Sequence, residues 1–286
     1  MARKSPLCGR QPMAGNQYLL SDAINDRAAH AGDRHWPRFA FLIAQISDLH
    51  ITDPVHWLTA VSTPPRRFCA PSARPELVVI SGDIADSALP EEYAHATKLP
   101  GALQVPFVAI PGNHDRRPLI RETFPDPAYG TADCALNTLR RIDGLDILLI
   151  DSNVAGAPHG ELDAPTLSWL DETLGASTTR PALLFLHHPP FDTGIAYTDA
   201  ARLRNSDALA AVLGRHPLRA AGRGRTCSLF GPNCVRGHFG PGGEQAVTLA
   251  FEPRWPEVFR IEPPTFHLHA WLPGPGFGSM VTHLVP

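Results

Sequence analysis

The sequence predicts an α/β fold. Three observations carry this: five short apolar runs of strand length, helical patterns between some of them, and a polar, chemically capable cluster closing each run. Residues 1–38 precede the pattern, show no sustained periodicity and hold Gly, Pro, Asn and charge, so they read as a flexible extension. Phe39–Ile46 leads to Ser47, Asp48, Leu49 and His50. Leu77–Ile80 leads to Ser81, Gly82 and Asp83. Phe107–Ile110 leads to Pro111, Gly112, Asn113, His114 and Asp115. Leu145–Ile150 leads to Asp151, Ser152 and Asn153, and Ala182–Leu186 leads to His187, His188, Pro189 and Pro190. Length and β-branching mark these runs as buried strands. Leu167, Leu170 and Leu174 share one helical face behind Asp163, a residue suited to capping a helix start, and Asp207 to Leu213 is a second short helix. Strands separated by helices make an α/β sheet, which places its sites at strand C-termini. In the tail, Val247–Phe251, Phe266–Trp271 and Met280–Val285 look like strands punctuated by Pro and Gly.

Bulk properties exclude several function classes. The 286 residues suffice for one domain plus an extension, and 43% hydrophobic with 19% charged content is ordinary for a globular chain. A formal net charge of -3 gives no whole-chain reason to bind nucleic acid. The basic start lacks the apolar stretch of a secretory signal, and the longest early apolar run falls far short of the roughly 20 residues needed to span a bilayer. A cytoplasmic location is expected. Five cysteines, an odd number with no CxxC pair, point to free thiols rather than a disulfide framework.

The polar clusters carry the chemistry. Asp48 and His50 are spaced i and i+2, which on a strand puts both side chains on one side. A carboxylate with an imidazole suits a borderline divalent metal such as Mn, Fe or Zn. Gly82 allows a sharp turn that frees Asp83 to face a ligand. The Gly112 to Asp115 turn packs a neutral oxygen donor, an imidazole and a carboxylate together. His187 and His188 add imidazoles at a fourth strand end. Singly, each cluster is equally well a turn or core feature; their order, each after an apolar run, sets them apart.

With these motifs the chain resembles the calcineurin-like metallophosphoesterase superfamily, and within it the bacterial branch of cyclic nucleotide phosphodiesterases and glycerophosphodiesterases. The closer likeness rests on residues 47–53, on Gly82 to Asp86 and on Pro111 to Asp115. Gly160 to Asp163 with Trp169 and Leu170, His187 to Pro190, and Glu262 to Phe266 with His269 and Trp271 extend it across residues 40–286 with gaps. The resemblance implies a four-layer sandwich of two mixed β-sheets flanked by α-helices, with a metallophosphoesterase domain at 39–250 and a C-terminal β segment at 251–286. It implies two divalent ions (Mn, Fe or Zn), with Asp48 and His50 on the first, Asn113 and His187 on the second, and Asp83 bridging both. Two ions roughly 3.5–4 Å apart generate a hydroxide at neutral pH and clamp phosphoryl oxygens. His114 then stands outside the metal ligands, steadying the transition state or protonating the leaving alkoxide, with Asp86 or Asp115 orienting its ring. Adjacent strand residues point opposite ways, so His187 is preferred over His188 as the ligand. The implied activity is hydrolysis of phosphodiesters, 3′,5′-cyclic nucleotides or glycerophosphodiesters among them, by a metal-bridging hydroxide. The implied partner is a small phosphodiester, without nucleic acid or a membrane span, and a homodimer is allowed.

Two stretches depart from the family pattern. Its Gly-His-x-His motif corresponds here to Ala220 through Cys227, with Arg223 and Arg225 in place of the two imidazoles. Arginine has no lone pair for a metal. A guanidinium roughly 5 Å from a dication is repelled by several kcal/mol at an effective dielectric of about 20. Between Val55 and Arg74, where the family has an amphipathic helix, the chain is broken by Pro64, Pro65 and Pro71. Three accounts are open: shifted reading frames in residues 55–74 and 219–243, a catalytically impaired relative kept as a phosphate- or partner-binding protein, or replacement ligands among His216, His238 and Asp207.

Overall fold

The computed structural model describes residues 41–52, 75–103, 105–130, 134–142, 144–176, 180–192, 196–216, 227–230, 246–249, 259–262, 265–272 and 276–283. The segments read above as a flexible extension and as the Pro-broken stretch lie outside these residues, as do Arg223, Arg225 and His238.

The strands are β1 (Phe41–Ile46), β2 (Leu77–Ile80), β3 (Phe107–Ala109), β4 (Thr138–Ile142), β5 (Leu145–Ile150), β6 (Ala182–Leu186), β7 (Cys227–Phe230), β8 (Ala246–Leu249), β9 (Phe259–Glu262), β10 (Thr265–Leu272) and β11 (Gly276–His283). The helices are α1 (Pro90–Ala96), α2 (Leu99–Leu103), α3 (Arg117–Thr123), α4 (Ala164–Gly175), α5 (Ala196–Ala200) and α6 (Ser206–Arg215). One sheet has the order β11-β10-β1-β2-β3 and a second the order β4-β5-β6-β7, while β8 and β9 form a separate pair. Both large sheets are mixed. In the first, β1, β2 and β3 run parallel while β10 is antiparallel to β1 and β11. In the second, β5, β6 and β7 run parallel with β4 antiparallel to β5.

Alternation along the strands sorts the apolar side chains into three layers of core. Phe41, Ile43, Leu77, Val79 and Val108 of the first sheet meet Ile147, Leu149, Leu183 and Phe185 of the second. The opposite face of the first sheet (Leu42, Ala44, Val78, Ile80) packs on Tyr93, Ala96, Leu99, Ile120 and Phe124 of the α1–α3 side. The opposite face of the second (Leu148, Ile150, Leu184, Leu186) packs on Leu170 and Leu174 of α4 and Leu209 and Val212 of α6. The result is the four-layer sandwich with helices outside. Strands buried on both faces read as unbroken apolar runs, which is why β1, β2, β5 and β6 were plain in the sequence.

Helix signals vary in strength. Asp163 caps α4 by accepting from the Thr166 N–H at 2.8 Å, as its position predicts. The short α1 begins at Pro90, and the buried Glu92 carboxylate accepts from the Leu89 and Ser87 N–H groups at 3.0 Å. Cys134 is disulfide-bonded, a departure from the free thiols expected of the cysteine count. No helix among the described residues is long and apolar enough to cross a membrane.

Candidate metal centre

The C-terminal ends of β1, β2, β3 and β6 meet at one edge of the sandwich, and their loops are laced together. The Asp48 N–H donates to the Gly82 carbonyl at 3.0 Å, the His50 N–H to the Asp83 carbonyl at 3.0 Å, and the Ile51 N–H to the Ile84 carbonyl at 2.9 Å. Strand alternation therefore does not place Asp48 and His50, contrary to the sequence argument. β1 ends at Ile46, and both residues sit beyond it in the left-handed region, at φ 55° and 42°. Asp83 joins them at φ 51°. Each such residue costs on the order of 1–3 kcal/mol, which the surrounding hydrogen bonds and packing must offset. Three of the four left-handed non-glycine residues among those described are candidate ligands, the fourth being Ala88 at φ 55°.

Two glycines leave the room these side chains need. A Cβ on Gly82, whose φ is 107°, would lie 2.5 Å from His187 Nδ1. A Cβ on Gly112 would lie 2.1 Å from Asp83 Oδ1. No side chain fits at either position without moving a candidate ligand.

Asp83 is the centre of the cluster. Its Oδ1 accepts from the His114 N–H at 2.9 Å, and its Oδ2 faces His187 Nε2 at 3.4 Å and His50 Nε2 at 3.7 Å. Both imidazoles are held from behind. His187 Nδ1 donates to the Ser81 carbonyl at 2.9 Å, and His50 Nδ1 meets the Asp86 carboxylate at 3.1 Å. Each ring then presents Nε2 toward Asp83, the arrangement that a partner behind the ring imposes on metal-binding histidines. Asp48, His50 and Asp83 bring one ligand atom each within 4.8 Å of one another, as do His50, Asp86 and His114. Asn113 is half-buried in the turn between Gly112 and His114.

His114 is held differently from the expectation. Its Nδ1 meets the backbone carbonyl of Asp86 at 2.5 Å, while the Asp86 carboxylate goes to His50. The two rings pack edge to face at 4.7 Å. Asp115 does not orient His114 either. Its buried carboxylate accepts from the Ile84, Ala85 and Gly112 N–H groups and, at 2.8 Å, from the Tyr93 hydroxyl. It thereby ties the Asp83 loop to the Asn113–His114 loop. Burial and the nearby Asp83 charge raise its pKa to about 6.

His187 and His188 diverge as adjacent residues should. His187 turns to Asp83, and His188 Nδ1 pairs with the Ser152 hydroxyl at 2.8 Å. Of the replacement ligands, His216 is engaged elsewhere, with Nε2 2.6 Å from Asp171, and Asp207 lies in the first turn of α6. The strand beside β6 is β7, which Arg223 and Arg225 precede rather than follow.

The electrostatics favour cations. Burial pushes the Asp83 carboxyl upward, but His187 and His50 outweigh it and hold the group well below the usual carboxylate range. Burial pushes the His187 imidazole down, but Asp83 and Asp48 overrule it and raise the group to about 10. Asp48 is raised, chiefly by burial. Its Oδ2 is buried without a hydrogen-bond partner among the described residues. Buried carboxylate oxygens are rarely left so. An orphaned carboxylate oxygen beside imidazole nitrogens that share Asp83 is a donor set that fits a divalent ion, which would take the place of the His187 proton.

The chain is 37% identical over 155 residues to glycerophosphodiester phosphodiesterase GpdQ of Enterobacter lignolyticus, covering 50% of this chain and 52% of that protein. It is 34% identical over 145 residues to the 3′,5′-cyclic adenosine monophosphate phosphodiesterase CpdA of Escherichia coli, covering 50% of each. It is 33% identical over 199 residues to a cAMP/cGMP dual specificity phosphodiesterase of Mycobacterium tuberculosis, covering 64% of this chain and 61% of that one. The matches to GpdQ and CpdA thus span about half the length of those relatives. A dimetal phosphatase from Danio rerio shares the fold at a TM-score of 0.52 and 15% identity, over 86% of this chain and 99% of that one. Residues 41–238 match the family model for the calcineurin-like phosphoesterases, and the chain belongs to that family.

Proposed function

We propose that the chain is a metal-dependent phosphodiesterase acting on small phosphodiesters, with 3′,5′-cyclic nucleotides and glycerophosphodiesters as the candidate substrates. The observation that carries this reading is the convergence of His50 Nε2 and His187 Nε2 on Asp83 Oδ2 beside the unpartnered Asp48 Oδ2. Asp48 and His50 would hold one divalent ion, Asn113 and His187 a second, and Asp83 would bridge them. Manganese, iron or zinc suits this mixture of carboxylate, amide and imidazole donors. When bound, such ions supply charge neutralisation for the phosphoryl group and a nucleophile at neutral pH.

The chain's own residues do the rest. His114 is the proton donor to the leaving alkoxide. Its Nδ1–H donates to the Asp86 carbonyl, so the proton for the leaving group would come from Nε2 of the doubly protonated ring. The Asp86 carboxylate positions His50 rather than His114. Asp115 fixes the spacing between the two ligand loops through hydrogen bonds to both. Support for the substrate class comes from the names of the bacterial relatives, which act on glycerophosphodiesters and cyclic nucleotides.

The test is hydrolysis of a generic aryl phosphodiester with added manganese, followed by competition with cyclic AMP and with a glycerophosphodiester. Turnover that requires metal supports the enzyme. A folded protein that binds no metal and turns over nothing supports instead the impaired relative suggested by Arg223 and Arg225.

A further inference from the structure

Asp151, Ser152 and Asn153 close β5 in a polar cluster that the proposed chemistry leaves unused. All three are buried. The turn reaches in two directions. Toward the first sheet, the Asn153 side-chain amide donates to the Gly112 carbonyl and, at 3.4 Å, to the Asp115 carbonyl. Arg117, one turn further along, donates to both carboxylate oxygens of Asp151 and, at 2.6 Å, to the Asn153 carbonyl. The segment from Gly112 to Arg117, which carries Asn113 and His114, is thus fastened at several points to a strand end of the opposite sheet. Toward the second sheet, the Ser152 hydroxyl meets His188 Nδ1 at 2.8 Å, and His188 follows His187 directly.

The two proposed metal positions differ in what they ask of the fold. Asp48, His50 and Asp83 all leave the first sheet, on loops hydrogen-bonded to each other. Asn113 leaves the first sheet, whereas His187 leaves the second. Only the second position needs the two sheets in register. The Asp151–Asn153 turn touches both of its sides.

We propose that Asn153, with Ser152, is a positioning residue for the second metal position, setting the Asn113 turn against His187 across the sandwich. This rests on the two-metal reading above. Partners that orient ligands in this way typically govern 10–100-fold in metal affinity.

The experiment uses the full chain and three variants: Asn153→Ala, the near-isosteric Asn153→Asp, and Ser152→Ala. Amide hydrogen exchange is measured on metal-free protein, and manganese binding is followed by electron paramagnetic resonance. Both Asn153 variants should exchange at least about tenfold faster across residues 110–117, with β1 unchanged. In all three variants one manganese step should fall about 10–100-fold while the other holds. Unchanged exchange at 110–117 in a folded Asn153 variant overturns the proposal. So does a uniform rise in exchange, or an equal fall in both manganese steps, which marks a purely structural role. Failure of both Asn153 variants to fold does the same. If the parent binds fewer than two ions, the two-metal reading fails, and the metal-free exchange still decides whether the turn positions the Asn113 loop.

Discussion

Replacing Gly112 with alanine tests how tightly the site is built. The added Cβ would stand 2.1 Å from Asp83 Oδ1 and 2.6 Å from the Asp83 backbone nitrogen, where ordinary contact begins at 3.4 Å. The nearest atoms belong to a buried carboxylate and to backbone, not to the end of a flexible side chain. Asp83 or the Gly112 turn must therefore withdraw by about 1 Å, and a misplacement of that size costs roughly 10²-fold in turnover. Forcing an extra methyl into a packed site also costs about 1–3 kcal/mol of stability. The assay is kcat/KM for manganese-dependent hydrolysis of bis(p-nitrophenyl) phosphate, with the thermal midpoint measured in parallel. Gly214→Ala is the control: its Cβ meets nothing within 4 Å, and it lies in α6. That variant should keep full turnover and gain up to about 1 kcal/mol from helix propensity. Gly112→Ala with unchanged turnover would refute the packing argument and the central place of Asp83.

Three further outcomes are expected. Asp83→Ala should lose most manganese binding, measured by elemental analysis after dialysis, because both imidazoles facing Oδ2 lose their shared partner. His269, fully buried, has its pKa pushed down to about 3 by burial and by His267. Its folded value lies below the unfolded value of about 6.5, so its contribution is whole above that pH and is lost as pH falls toward 3. Urea midpoints should show the parent losing about 2 kcal/mol more than His269→Gln between pH 6.5 and 5, and equal losses would contradict the burial argument. Restoring histidine at 223 and 225 together should raise metal occupancy if those positions hold the place of the missing motif. No gain would show that Arg223 and Arg225 do not stand in the place of the missing motif.

Much of the architecture was legible because a doubly covered strand must be apolar on both faces. β2 and β6 match their sequence runs residue for residue, and β5 does so as well. The first strand, described from Phe41, lies within the run read from Phe39, and the Asp163 cap was visible from its spacing to the leucines of α4. Less legible was β4, whose TLRRI sequence mixes charge with apolar residues because Arg140 and Arg141 are only partly covered. The short helices α1 and α3 carry too few turns for a periodic signal.

The site was legible as composition but not as geometry. Strand-end Asp, Asn and His pointed to the right edge of the sheets. Left-handed backbone at Asp48, His50 and Asp83 has no local sequence signal, since none is glycine, so strand alternation was the wrong device for aiming them. The role of Asp115 as a clamp between loops depends on three donors from distant segments, the Ile84 and Ala85 N–H groups and the Tyr93 hydroxyl, and no spacing reveals it. The Asp151 to Asn153 cluster was visible as a polar end to an apolar run, but its partners at Gly112 and His188 were not.

The most direct test is the manganese dependence of bis(p-nitrophenyl) phosphate hydrolysis by the purified chain and by its Asp83→Ala variant. A metal-dependent phosphodiesterase built on Asp83 requires turnover that rises and saturates with added manganese and vanishes in Asp83→Ala. A folded parent with no turnover at any manganese concentration, or turnover that survives in Asp83→Ala, would contradict it.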